Sequence, residues 1–231
     1  MPCPSSAPKG RGQRALPVLG LALMSGLLLS GCAGTGEPRS AGPTSVASAP
    51  KRLWTPRPTP APLDKPNSKV NDGLPAPLPA VPRVPSGDMH RVSALAVAKA
   101  QAARSTTPLD EEGTTQKIGD CTTARQEPCP VQTPEYRDMN GDGKDELLLG
   151  IASGRSKTFV HLWAFTVKDG RVTLIMDEDT RPVSVELSDH DVIVREPADS
   201  GYDVRRVYSW DRSEQAMQER VFEYVESSSR K

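Results

Sequence analysis

The chain has 231 residues, 29 Lys and Arg against 29 Asp and Glu, 23 prolines and only ten Phe, Trp and Tyr. A core must therefore rest mainly on Val, Leu and Ile. No basic patch with interleaved aromatics stands anywhere, so nucleic acid is not an expected partner.

Lys9, Arg11 and Arg14 give the first segment a positive head, and Ala15 to Leu29 is an apolar run. That run is too short to span a bilayer and ends in small residues, which is the pattern of a processed export signal. Its end, Leu29-Ser30-Gly31-Cys32, has the form of a lipobox. The expectation is a signal peptide over 1–31, cleavage before Cys32, and attachment of diacylglycerol and palmitate-type acyl chains at Cys32. An ordinary cleaved signal or an uncleaved anchor is the plainer alternative. Acylation on two or three chains suffices for stable attachment to the extracytoplasmic face of the cell membrane.

From Ala33 to Gly87 there are 13 prolines, with Ser, Thr, Ala and Gly filling much of the rest. So little apolar area cannot offset the entropy of ordering the chain. Residues 32–87 are accordingly read as the lipidated cysteine followed by a disordered Pro-rich linker, reaching roughly 170 Å if fully extended. The rival reading docks Leu53-Trp54, or the segment from Leu74 to Val84, on the folded head. The linker carries a net charge of +4 and residues 88–231 carry −7. An anionic membrane surface attracts the first weakly and repels the second.

The head divides at about residue 135. Within 88–135, Asp88 to Ser105 is alanine-rich and lacks Gly and Pro. Val92, Leu95, Ala96 and Lys99 have helical spacing, and Asp88 or Ser86 can cap the start, so one helix with a thin apolar face is expected. Thr106 to Pro134 reads as irregular. Cys121 and Cys129 lie within it, an even pair in an exported domain, for which a disulfide is expected. It would contribute roughly 2–3 kcal/mol in the chain-entropy model. The rival is a redox or metal pair, against which stand the spacing and the lack of a nearby histidine.

Residues 136–231 change to short strands and tight turns. Glu146 to Ile151 is a continuous apolar run, and Thr158 to Val167 puts Phe159, Trp163, Phe165 and Val167 on one face. Asp169-Gly170 is a hairpin turn into Arg171 to Met176. Val183, Val185 and Leu187 alternate with Ser184 and Glu186, and Asp189-His190 turns into Asp191 to Arg195. Val204 to Trp210 and Arg220 to Val225 close the series around a polar loop, Asp211 to Glu219. The expected fold is mainly β with one N-terminal helix (α+β), a small antiparallel β-meander domain behind a Pro-rich tether.

One motif carries chemistry. In Asp138-Met139-Asn140-Gly141-Asp142-Gly143-Lys144-Asp145-Glu146, oxygen ligands fall at positions 1, 3 and 5, with Gly143 at 6 for the sharp turn. The Lys144 carbonyl can serve position 7 and Glu146 position 9, a set suited to Ca²⁺. Leu149 stands where an EF-hand needs a bidentate Glu. The same residues also make a good ion-free Asx turn. Followed by Leu147-Leu148-Leu149-Gly150, the loop resembles the Asp-x-Asn-x-Asp-Gly-x-x-Asp-Leu signature of FG-GAP/VCBS-type β-repeats. That resemblance implies a calcium loop before a buried strand. No second copy follows, which excludes a multi-bladed propeller.

His90, His161 and His190 are far apart and lack ligand spacing, so structural roles are expected of them. Asp177-Glu178-Asp179 reads as a solvated turn, and Tyr202 and Trp210 as cross-strand packing rather than a binding platform. Serine-hydrolase, zinc-protease and phosphate-loop patterns are absent, so the head is read as non-enzymatic. Lipobox, flexible arm and small extracytoplasmic head together resemble an actinobacterial membrane lipoprotein of the CseA type. The resemblance implies negative modulation of an envelope-stress pathway run by a two-component system and a sigma factor. A sensor-kinase extracellular domain or a cell-wall component would be its partner. The alternatives are a calcium-dependent glycan- or cell-wall-binding module and a small wall hydrolase.

Overall fold

A computed structural model describes residues 49–54, 73–105, 109, 113–124, 128–153, 159–198 and 201–227. The chain divides into units Met1–Ser45 and Val46–Lys231, and every described residue belongs to the second. The export signal and Cys32 lie outside the described residues.

The strands are β1 (Lys51–Leu53), β2 (Ala76–Pro77), β3 (Glu135–Arg137), β4 (Glu146–Ser153), β5 (Phe159–Lys168), β6 (Arg171–Thr180), β7 (Ser184–Ser188), β8 (Asp191–Pro197), β9 (Tyr202–Asp211) and β10 (Ala216–Glu226). Two helices, α1 (Ala94–Arg104) and α2 (Thr114–Asp120), precede β3. The strands form two five-stranded antiparallel sheets, ordered β2-β6-β5-β4-β3 and β1-β7-β8-β9-β10. Each sheet is a consecutive meander plus one short strand from the Pro-rich segment. The mainly β, antiparallel fold expected from the sequence is the one observed.

Burial explains the strand patterns. Leu147, Leu149 and Ile151 of β4 pack with Trp163, Phe165 and the helical segment, while Leu148 packs with Leu162, Val185, Val192 and Tyr208 of the inter-sheet core. The β2–β6 sheet is thus covered on both faces, which is why β4 reads as an unbroken apolar run. Asp169 and Gly170 both have positive φ, 51° and 70°, as a two-residue type I′ hairpin requires.

Several expectations are corrected. Parts of the segment read as a disordered linker belong to the fold. β1 pairs with β7, and β2 pairs with β6. Leu78, Val81 and Val84 are core residues. Proline is tolerated here because both added strands are short and lie at sheet edges. Trp54, at φ 56°, donates from Nε1 to the Thr133 carbonyl at 2.8 Å and lays its ring over Gly150. The helical region begins with a 3₁₀ turn at Met89–Arg91 and breaks at Val92 and Ser93, both extended. Ser93 then caps α1, its Oγ accepting from the Ala96 amide. The buried face is Ala94, Val97, Ala98, Gln101 and Ala102, not the row through Val92 and Lys99. The stretch read as irregular contains α2, whose Ile118 is fully buried beside Cys121. In β7, Ser184 and Glu186 are buried as well as Val185 and Leu187. Ser184 Oγ donates to Glu186, which Arg52 and Arg195 flank at 3.7 and 3.8 Å. The polar loop after β9 is a short turn, because Ala216 and Met217 are already buried strand residues of β10.

A Cβ at Gly150 would stand 2.6 Å from the Trp54 ring, so Gly150→Ala must push that ring off β4. Overpacking of this kind costs about 1–3 kcal/mol. Urea denaturation should show a lower midpoint for Gly150→Ala with an unchanged slope, and tryptophan fluorescence a more solvated indole.

Candidate functional site

The loop from Asp138 to Glu146 connects β3 to β4, and its conformation is held by its own side chains. Asp138 accepts from the Gly141 amide on Oδ1 at 2.7 Å and from the Gly143 amide on Oδ2 at 3.1 Å. Asn140 accepts from the Asp142 amide, and Asp142 from the Lys144 amide, each at 2.8 Å. Gly141 and Gly143 both have positive φ, 76° and 84°, which glycine adopts without a Cβ penalty. Met139 is fully buried in the inter-sheet core and fixes the loop from below.

Glu146 ties the loop to the sheet. Its Oε2 accepts from the Met139 and Asn140 amides at 2.8 and 3.2 Å, and its Oε1 from Asn140 Nδ2 and Thr166 Oγ1 at 2.8 and 2.9 Å. The side chain is buried, and burial pushes its carboxyl up to about 7 against the opposing effect of those hydrogen bonds. Four donors occupy the four lone-pair positions of the carboxylate. Asp138, Asn140 and Asp142 each keep acceptor capacity, so a hard cation would draw on these three and on the Lys144 carbonyl, with Glu146 acting as a brace. Among the described residues, no group of three or more His, Cys, Asp or Glu is placed to hold a metal ion.

Two histidines that the sequence separates flank this loop. His90, on the 3₁₀ turn, stacks on Tyr136 at 4.2 Å between ring centroids and meets Asp145 Oδ2 through Nε2 at 2.9 Å. His190, in the β7–β8 turn, meets the Asp138 carbonyl through Nδ1 at 2.6 Å. Arg137 donates to the carbonyl of neighbouring Asp189 at 2.8 Å. Two turns from distant parts of the chain therefore converge on one acidic loop. Spacing along the chain could not show this, because sheet pairing sets it.

Asp177-Glu178-Asp179 is not a solvated turn but lies on β6. Asp177 accepts from Trp163 Nε1 at 3.0 Å and Asp179 pairs with buried His161. Glu178 points the other way, between the sheets, within a charged cluster with Arg206, Tyr208 and Glu219. Arg206 Nε stands 3.3 Å from Glu196, and its Nη1 3.6 Å from Glu219. Thr180 Oγ1 and the Arg181 amide donate to Glu196, at 2.8 and 3.1 Å. Burial raises the Glu178 carboxyl to about 8, only partly offset by Arg206, and Glu219, Asp177 and Asp179 push it further. Cys121 and Cys129 are bonded at 2.04 Å, the disulfide expected. Tyr202, opposite Glu226 of β10, is 44 % exposed, whereas Trp210 is partly buried against the inter-sheet core.

Glu178, with its raised native pKa, holds its proton more tightly folded than unfolded, so its contribution to stability is complete below about pH 4.5 and falls as pH rises to the native value. The denaturant midpoint should therefore decline between pH 5 and pH 8, and Glu178→Gln should flatten that decline. Asp211, lowered to about 2 by its hydrogen bonds to Ser213 and Glu214, acts outside this window. A midpoint that rises from pH 5 to pH 8 would contradict the assignment. No protein-family model matches the chain, and neither does any curated protein or solved structure.

Proposed function

We propose that the protein is a non-enzymatic lipoprotein of the extracytoplasmic membrane face that damps an envelope-stress response. The observation that carries this reading is Leu29-Ser30-Gly31-Cys32 at the end of an apolar run behind Lys9, Arg11 and Arg14. An acylated Cys32 keeps the head beside the membrane, where the external domain of a sensor kinase is within reach. The −7 charge of residues 88–231 favours a basic surface on that partner over the anionic lipid itself. The plan of lipobox, arm and small head supports a pathway of the CseA type. Mass spectrometry of the mature protein should show a diacylglyceryl modification on Cys32, lost in Cys32→Ala. Deleting the chain should raise a cell-wall-stress reporter without added antibiotic, and an unchanged basal reporter overturns the regulatory role.

A second reading, a calcium-dependent glycan- or wall-binding module, draws on Asp138, Asn140 and Asp142, which retain acceptor capacity around a loop made of Asx turns. A ligand present at ten times its Kd stabilises the folded state by about 1.4 kcal/mol. Millimolar Ca²⁺ should then raise the melting temperature of the wild type and not that of an Asp138→Asn, Asp142→Asn variant. Identical melting with Ca²⁺ and with chelator removes this reading.

A further inference from the structure

A groove of about 550 Å³ lies between the turn at 81–86 and the start of α1. Val81 and Val84 reach it from the core, and Val92 and Ala96 from the helical side. Its walls are held by backbone hydrogen bonds. The Val84 amide donates to the Gly170 carbonyl at 2.8 Å, and the Gly87 amide to the Val84 carbonyl at 2.9 Å. Opposite them, Ser93 caps α1 through its Oγ. Apolar walls with a few placed polar groups, in a space of roughly 300–1,000 Å³, are what a small-molecule site needs.

The charge around this groove is one-sided. No acidic residue lines it, while Arg83 and Arg91 both do. Among the described residues, neither arginine makes an ion pair. Arg83 is positioned by its Nη2, which donates to the Asp169 carbonyl at 2.9 Å, whereas Arg91 keeps its whole guanidinium fork. Lys144, also outside any ion pair among these residues, brings Nζ to 2.7 Å from where a Cβ on Gly87 would stand, next to groove residue Ser86. Ser93 and Ala96 belong to the positive end of the α1 dipole. The nearby acids, Asp88 and Asp145, engage His90 instead, at 3.0 and 2.9 Å.

These features select the occupant. Unpaired guanidinium groups favour a carboxylate, which the fork of Arg91 can hold through two parallel hydrogen bonds. The walls favour an alkyl chain. A stable protein interface needs about 800 Å² on each partner, far more than one turn and the start of one helix offer. The geometry points to a free long-chain fatty acid, its chain against Val81, Val84, Val92 and Ala96 and its carboxylate on Arg91, within the field of Arg83 and Lys144.

Methyl-labelled NMR of the full chain carrying Cys3→Ser and Cys32→Ser tests this with sodium dodecanoate below its micelle-forming concentration. The methyl signals of Val81, Val84, Val92 and Ala96 should shift together and saturate, which separates the groove from the apolar run at 15–29. Shortening the acid to decanoate and octanoate should weaken binding by up to about fourfold for each methylene removed. Arg91→Gln should weaken dodecanoate about tenfold and leave dodecanol, the same chain without the charge, unchanged. Arg83→Gln should cost less. Ala96→Trp, at an exposed helix position, should fill the groove and abolish binding of both. Dodecanoate that shifts none of these signals overturns the proposal, and residues 55–72 of the same chain lying in the groove would give that result. Dodecanol that binds as tightly as dodecanoate overturns it equally, as does a hexaglutamate peptide that shifts these signals where dodecanoate does not.

Discussion

The β2-β6-β5-β4-β3 sheet has apolar side chains on both faces, and each face must be covered. This demand organises the rest. The second sheet closes one face through Val185, Leu187, Val192, Val194 and Tyr208. The other face is closed by α1, α2 and the segment holding Leu78, Val81 and Val84. The bulk of the first sheet's apolar area is what recruits a Pro-rich segment of low intrinsic order. Leu53, Leu78, Val81 and Val84 of this segment are buried, and burying each such side chain contributes roughly 1.5–3 kcal/mol. Short edge strands then satisfy its amides without asking proline to donate.

Charge is used inside this apolar frame. Arg206 and Glu196 are both nearly inaccessible, and Glu178 shares their space between the sheets. Buried ion pairs add little net stability over apolar residues of the same volume, but removing one member leaves an uncompensated charge. The cluster therefore fixes the alignment of β6 against β9 more than it strengthens the fold. Glu146 works similarly at the other site, where one carboxylate sets the position of an entire loop.

What the sequence made legible follows from contrast between neighbouring residues. Tight turns such as Asp169-Gly170 and the apolar run of β4 stand out, and the meander follows from them. The phase of α1 did not stand out, because a helix in which six of eleven residues are Ala offers little difference between faces. β1 and β2 were hidden since short strands donated to a sheet edge carry no period of their own. The acidic loop was visible through its glycines and Asx spacing. Its histidine neighbours were not, since His90 and His190 reach it through contacts 55 and 52 residues away in the chain. The buried role of Glu178 was masked by the two carboxylates beside it, which resemble a hydrophilic turn until alternate side chains are assigned to opposite faces.

The pairing of β1 with β7, together with the seat of Trp54 on Gly150, has a consequence for proteolytic release. Residues upstream of Lys51 join the domain first through β1 and only afterwards through the backbone of 55–72. A protease that nicked the chain within 55–72 would cut the covalent path and still leave the three-residue strand clipped in place. Shedding from any upstream attachment would then be timed by how fast that strip peels away, not by the cleavage.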